Sequence, residues 1–168
     1  MKTKLIAIVF MIFGFLLGVV FTGITISYSA GEMMIKEIKS PYDYEKTIET
    51  IATRLDNAEA WHVVEIYDMN EEVIENGGDP IGKLTIIKYC SGTYASEMLG
   101  SDDRKKIAAM MPKAFAVYEK ENGEVYVSTA NGAVMGKLFG GETEEIIERV
   151  SLEIEQVLSF MNFKFSVL

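Results

Sequence analysis

The sequence begins with a long run of residues that carry no charge, and this run constrains the fold more than any other feature. It comprises the 22 residues from Leu5 to Ile26. As an α-helix it would be about 33 Å long, which is enough to cross the hydrocarbon core of a bilayer. Lys2 and Lys4 precede it. The positive-inside rule therefore predicts a single-pass protein of the cell membrane, with a cytoplasmic N-terminus and the remaining chain outside.

A cleaved secretory signal is the alternative interpretation of this run. Such a signal has an apolar region of about 7–15 residues, followed by small residues before the cleavage site. The segment "SYSAG" at 27–31 has that character, but the apolar run is longer than a typical signal. We therefore expect residues 1–30 to be an uncleaved signal anchor in contact with membrane lipid. Residues 31–168 would then form one extracytoplasmic domain.

The charge balance excludes several classes of partner and site. Without Lys2 and Lys4, 14 of the 16 basic residues remain against 25 acidic residues, so the predicted domain has a formal charge of −11. This charge repels nucleic acid, which we do not expect as a partner. The one cysteine excludes an internal disulfide, and the one histidine excludes a zinc site built from clustered cysteines and histidines.

The pattern of apolar residues predicts an α+β fold. Alternating or β-branched segments indicate about five strands, the clearest being the hairpin around Asn122-Gly123. Amphipathic segments indicate helices between and after the strands. The predicted strands are 33–38, 61–69, 83–90 and two within 113–130, and the predicted helices are 40–60, 93–100, 101–111 and 142–161. Consecutive strands indicate a mostly antiparallel sheet, so we expect a two-layer sandwich of sheet and packed helices, preceded by one transmembrane helix.

Four short segments, taken in order, resemble a known family. They are "VVEIYDM" after a helix, the glycine pair in "ENGGDP", the strand that ends at Cys90, and "MMPKAFAVYE" leading to "GEVYVS". Together they are similar to domain of unknown function 302, over roughly Ile35 to Met161. The resemblance implies a compact two-layer α/β fold that often dimerises, and it implies no established activity. This chain has Ser91-Gly92 where family members typically follow the cysteine with Asn-Pro, and Lys113 where many members carry a second cysteine. The resemblance therefore does not imply a two-thiol redox centre here.

Cys90 is the first candidate for chemistry. A thiol between the end of a strand and the start of a helix can be activated by the helix dipole. If strands 61–69 and 83–90 pair antiparallel, His62 approaches Cys90, and a cysteine–histidine pair is the minimum for a thiol enzyme. We place both on the core-facing side of the sheet, together with Val64, Ile66, Leu84 and Ile86. The other interpretation is that Cys90 is a small buried side chain with no chemical role.

A soft-metal or haem site at Cys90 is the second candidate. Four methionines fall near the predicted ends of elements around Cys90, namely Met98, Met110, Met111 and Met135. Thiolate and thioether suit copper(I) and haem iron. Met135 lies in a glycine-rich connector, so Cys90 with Met135 is the specific prediction. Methionine is also a common filler of hydrophobic cores, and that interpretation stays open.

Two features favour assembly. The odd-numbered strand positions Val63, Tyr67, Ile87 and Tyr89 are apolar as well, and a sheet that is apolar on both faces needs two covers. Gly14 and Gly18 form a small-xxx-small pair in the predicted anchor. We therefore expect a homo-oligomer or a subunit of a membrane complex, and a non-enzymatic binding or accessory module of unknown ligand. The alternatives are a redox carrier that binds a soft metal or haem through Cys90, and a thiol enzyme that uses Cys90 with His62.

Overall fold

The structure is a computed structural model, and it describes residues 2–165. The chain divides into two compact units, Met1–Met34 and Ile35–Leu168. The first unit consists of helix α1 (Lys2–Met34), and the second contains every other element described below.

The predicted membrane localisation is not supported. Within residues 2–165, no helix combines the length and the apolar character needed to cross a bilayer. The prediction of a single-pass membrane protein with an anchor at 1–30 is therefore wrong. It was based on the absence of charge between Leu5 and Ile26, which is a necessary property of a membrane span but not a sufficient one.

The second unit is built on a five-stranded sheet, as the sequence predicts. Its strands lie in the order β1-β5-β4-β3-β2, and every neighbouring pair is antiparallel. The short turn between β4 and β5 allows only antiparallel pairing of those two strands. The strands are β1 (Ile35–Lys39), β2 (His62–Asp68), β3 (Leu84–Cys90), β4 (Lys113–Glu119) and β5 (Val125–Ala130). The prediction of an α+β fold is confirmed.

The helices include two that the sequence pattern did not predict. The segment after β2 forms a short helix, and the glycine-rich connector after β5 forms another. Asp68 caps the first of these, because its side chain accepts from the backbone N–H groups of Asn70 and Glu71. The helices are α2 (Tyr44–Asp56), α3 (Met69–Glu75), α4 (Gly92–Leu99), α5 (Gly132–Phe139) and α6 (Gly141–Val157), with 3-10 segments at Asp102–Met110 and Ser159–Met161.

The hydrophobic core lies on the odd-numbered face of strands β3, β4 and β5. Ile87, Phe115 and Val127 are fully buried there, against the apolar faces of α2 and α6. The Tyr44 hydroxyl of α2 shares a 2.7 Å hydrogen bond with the Thr85 hydroxyl, which fixes that helix on the same face. The expectation that Leu84 and Ile86 face the core is therefore wrong. The reason is that both faces are apolar at several positions, so alternation alone does not tell which face the helices cover. In β2 a bulge between Val63 and Glu65 shifts the alternation, so Ile66 lies across from Ile87, but Val64 and Ile66 are both exposed.

The face of the sheet opposite the core carries charged pairs among its apolar side chains. Lys88 forms an ion pair with Glu65 at 2.8 Å and lies 4.7 Å from the ring centre of Tyr67. Lys120 pairs with Glu37 at 2.8 Å on the same face. Such partly exposed pairs are typical of a surface in contact with water, and they contribute little to the stability of the fold.

Helices α5 and α6 pack closely because two residues of α5 are glycines. A Cβ atom added at Gly132 would overlap the hydroxyl oxygen of Ser151, and one added at Gly136 would lie 3.4 Å from a methyl carbon of Ile147. The Ser151 hydroxyl cannot turn away freely, since it donates to the carbonyl of Ile147 at 2.7 Å. The glycines that seemed to break a helix in the sequence are thus the residues that allow it to dock.

Gly132→Ala should destabilise the fold because the added methyl group meets Ser151. We expect the free energy of unfolding to fall by about 1–3 kcal/mol in urea denaturation. The double variant Gly132→Ala/Ser151→Ala should recover most of this loss, since the obstructing hydroxyl is gone. Gly92→Ala is the control, because nothing lies within 4 Å of a Cβ atom at that position. Equal losses in the two single variants would contradict this packing.

Candidate functional site

A cavity of about 300 Å³ lies where strand β3 ends and strand β4 begins. Tyr89 and Lys113 reach it from the core face of the sheet, where they are direct partners across β3 and β4. Helices α4, α5 and α6 and the 3-10 segment supply the other walls. The cavity is therefore formed between the edge of the helical layer and one end of the sheet.

Most of the cavity wall is apolar and adaptable. Aliphatic side chains come from α6 and from the 3-10 segment, and four methionines line the remaining wall. Methionine is unbranched and flexible, so a wall of this kind can adjust to the shape of a bound molecule. The residues are Met98, Ile107, Met110, Met111, Met135, Ile146, Ile147 and Val150.

Aromatic side chains form one side of the cavity, and one carboxylate holds two of them by hydrogen bonds. The ring of Trp61 lies 5.8 Å from that of Tyr94 and 5.6 Å from that of Tyr89. The Glu153 carboxylate accepts from Trp61 Nε1 at 2.7 Å and from the Tyr94 hydroxyl at 2.6 Å. The Tyr94 hydroxyl donates to this carboxylate, which raises the pKa of Tyr94. Glu153 thus orients two of the aromatic rings.

Lys113 is the charged residue among those that line the cavity. Its place at the start of β4 puts its side chain on the face shared with Phe115 and Val117, both fully buried. No acidic side chain among residues 2–165 forms an ion pair with it. Burial lowers the pKa of the Lys113 amine to about 8, because an apolar environment disfavours the charged form.

Tyr89 provides a second polar group at the same place. Its side chain is fully buried, and its hydroxyl lies near the Thr129 hydroxyl without forming a well-aligned hydrogen bond in the described part of the chain. The neighbouring Thr129 hydroxyl donates to the carbonyl of Ala114 at 2.9 Å. Burial raises the pKa of Tyr89 above its ordinary range, so the hydroxyl stays protonated and able to donate. Directly opposite side chains on antiparallel strands have Cβ atoms about 5 Å apart, so Tyr89 and Lys113 can act on one group.

The predicted soft-metal residues Cys90 and Met135 both line this cavity, together with Met98, Met110 and Met111. Alternation along β3 nevertheless places the Cys90 side chain on the face opposite Tyr89. Among residues 2–165, no group of three or more histidine, cysteine, aspartate or glutamate side chains could hold a metal ion. A haem is much larger than the cavity, so copper(I) is the better match of the two. The site at Cys90 and Met135 stays a prediction.

His62 lies directly across from Cys90, as the antiparallel pairing in the sequence analysis predicts. The two residues are Cα partners at the ends of β2 and β3. Their side chains share the face that points away from the core, and His62 is exposed. The assignment of both to the core-facing side is therefore wrong, for the same reason as the assignment of the even-numbered positions. A thiol enzyme that uses this pair stays a prediction.

The sequence analysis did not identify Lys113 as a candidate functional residue. It marked the position only as one where relatives often have a second cysteine. A signal was present in the sequence, since Lys113 begins a strand whose next residues on the same face, Phe115 and Val117, are apolar. A lysine on the buried face of a strand lies either at the edge of the core, with its amine in water, or in a pocket. The sequence does not distinguish these two cases.

The comparisons with known proteins identify the family. The model of the domain of unknown function DUF302 matches residues 36–161, three quarters of the chain, and the chain belongs to this family. The fold is also similar to the crystal structure of an uncharacterised conserved DUF302 protein from Bacillus stearothermophilus, with a TM-score of 0.66 and 18% identity. The match covers 77% of this chain and 98% of that chain. No curated protein matches.

Lys113 should make the stability of the fold depend on pH in the alkaline range. Its pKa is lowered in the folded state, so the unfolded chain binds more protons between about pH 8 and pH 10.5. Its contribution to the free energy of unfolding therefore rises with pH across this window. Lys113→Met should be more stable than the wild type by about 3 kcal/mol at pH 7, since each unit of the lowered pKa corresponds to about 1.4 kcal/mol. The two should converge above pH 10.5 in urea denaturation, and a constant difference would contradict a desolvated amine.

Proposed function

We propose that this chain is a non-enzymatic binding module for a small, largely apolar molecule, which occupies the cavity beside Lys113. The observation that carries the proposal is the cavity itself, whose volume of about 300 Å³ is at the lower end of the range for ligand pockets. A water molecule takes about 30 Å³ of liquid volume, so the cavity has room for about ten non-hydrogen atoms.

The lining of the cavity also supports binding. Ligand pockets are mostly apolar and aromatic, with a few polar groups that set the orientation of the ligand. Here methionine and aliphatic side chains make up most of the wall, and Lys113 and Tyr89 are polar groups at one end. A methionine-rich wall is also typical of surfaces that accept more than one ligand. We therefore expect the cavity to select ligands mainly by their size and apolar character.

The other interpretations depend on less complete sites. A thiol enzyme needs a group that orients the histidine, and the pair of His62 and Cys90 lies at the ends of two strands with His62 exposed. A copper(I) carrier needs thiolate and thioether on one side of the sheet, whereas alternation separates Cys90 from the core face. The proposed binding module needs only the cavity. Assembly with a second copy of the chain stays a prediction as well.

The test uses octan-1-ol, which has nine non-hydrogen atoms and carries no charge. Trp61 is the only tryptophan and lines the cavity, so its fluorescence reports directly on occupancy. We expect a saturable change in Trp61 emission as octan-1-ol is added to the wild type. Ala95→Leu narrows the cavity from α4 and should weaken binding at least tenfold, about 1.4 kcal/mol.

Ala52→Leu is the matched control, because Ala52 is also a half-buried alanine of a helix but does not line the cavity. It should bind octan-1-ol as the wild type does. Calorimetry provides a second readout that does not depend on fluorescence. The absence of saturable binding by the wild type, or equal binding by the two leucine variants, would contradict the proposal.

A further inference from the structure

The polar end of the cavity contains a cation that lacks a counter-ion. Lys113 is the charged residue in the cavity lining, and it forms no ion pair with any acidic side chain among residues 2–165. Several other cations among the described residues do have a carboxylate partner, as Lys88 has Glu65 and Lys120 has Glu37. Lys113 is thus placed for a partner that the chain does not supply.

Tyr89 adds a neutral donor to the lining of the same cavity. It is the direct cross-strand partner of Lys113 on the core face, and its hydroxyl, which lies near that of Thr129, forms no well-aligned hydrogen bond within the described residues. An ionised carboxylate has two oxygens that only accept, so it can take one hydrogen bond from an ammonium and one from a phenol. Hydrogen bonds to an ionised group are the stronger kind, particularly where water is excluded.

We propose that the ligand is a small aliphatic carboxylic acid, whose carboxylate is held by the Lys113 amine and the Tyr89 hydroxyl. Its hydrocarbon chain lies among Met98, Met135 and Val150. This inference rests on the proposed function and deepens it by naming the class of ligand. A chain of about eight carbons matches the room that the cavity offers. An alkylamine of the same length is excluded, because its ammonium group would meet Lys113.

The other titratable groups at the cavity do not oppose a bound carboxylate. Tyr89 from β3 and Tyr94 from α4 are neutral donors, and Tyr94 is already occupied with Glu153. Cys90, at the end of β3, is the remaining titratable residue of the lining. Lys113 supplies the positive charge, and burial lowers the pKa of its amine to about 8. The affinity for a carboxylate should therefore fall as the pH rises through the alkaline range.

The experiment compares octanoate with octan-1-ol and octylamine, using Trp61 fluorescence of the full chain at several pH values. At pH 7 the wild type should bind octanoate at least tenfold more tightly than octan-1-ol, and octylamine more weakly than either. At pH 9.5 the preference for octanoate should shrink severalfold, whereas the affinity for octan-1-ol should not change. These measurements need no variant, so they stand even if a substitution prevents folding.

Variants then locate the charge that holds the carboxylate. Lys113→Met should lose the preference for octanoate and keep octan-1-ol binding. Lys113→Arg should keep the preference through pH 9.5, because guanidinium remains charged there. Tyr89→Phe should weaken the binding of octanoate about threefold to tenfold and leave the affinity for octan-1-ol unchanged. The pH dependence should persist in Cys90→Ser, which would assign it to Lys113 and not to Cys90, another titratable residue at the strand ends that line the cavity.

The outcomes separate the two proposals. Equal affinity for octanoate and octan-1-ol overturns this inference and leaves the proposed binding module standing. A preference for octanoate that survives Lys113→Met also overturns it, since the carboxylate would then be held elsewhere. The absence of saturable binding by any of the three probes overturns both proposals.

Discussion

The structure of the second unit depends on a sheet whose core-facing side is the odd-numbered face of its central strands. Helices α2 and α6 cover Ile87, Phe115 and Val127, and the hydrogen bond between Tyr44 and Thr85 fixes α2 on that side. Because side chains alternate along a strand, this choice decides the environment of every other residue in the sheet. It brings Tyr89 and Lys113 into the interior and leaves the pair of Cys90 and His62 on the opposite face.

The properties of Lys113 follow from this arrangement. A lysine at the start of a strand normally extends its amine into water. Here residues of α4, α5 and α6 form the mostly apolar walls of a cavity that Lys113 also lines. The result is a cation with a lowered pKa and without an ion pair in residues 2–165. Groups whose pKa values are perturbed by burial in a cleft are frequent at functional sites, which supports the assignment of the site to this cavity.

Local signals in the sequence predict much of the fold. The hairpin around Asn122-Gly123 forms because Gly123 adopts a φ of 78°, which few other residues tolerate. The antiparallel pairing that sets His62 across from Cys90 also follows from strand order. The family resemblance covers nearly the residues that the DUF302 model matches. These features depend on neighbouring residues or on the order of elements along the chain, and both are visible in the sequence itself.

The remaining features depend on contacts between distant residues. Gly132 and Gly136 suggested a break in the helix, and their real role appears only when α6 lies against them. The core face of the sheet could not be chosen, because Leu84 and Ile86 are as apolar as Ile87. The cavity is formed by three helices, a 3-10 segment and three strands, so no single segment of the sequence contains its signal. The apolar run from Leu5 to Ile26 suggested a membrane span that the described residues do not contain.

The central claim is that the Lys113 amine is desolvated in a ligand cavity, and the most direct test is to measure its pKa by NMR. Lysine side chains labelled with ¹³C and ¹⁵N can be titrated in the full chain, and Lys113→Arg identifies the resonance. The account predicts a pKa of about 8 for Lys113 in the protein alone, and a rise towards the ordinary value of 10.5 when octanoate is present. A pKa near 10.5 in the protein alone, unchanged by octanoate, would contradict it.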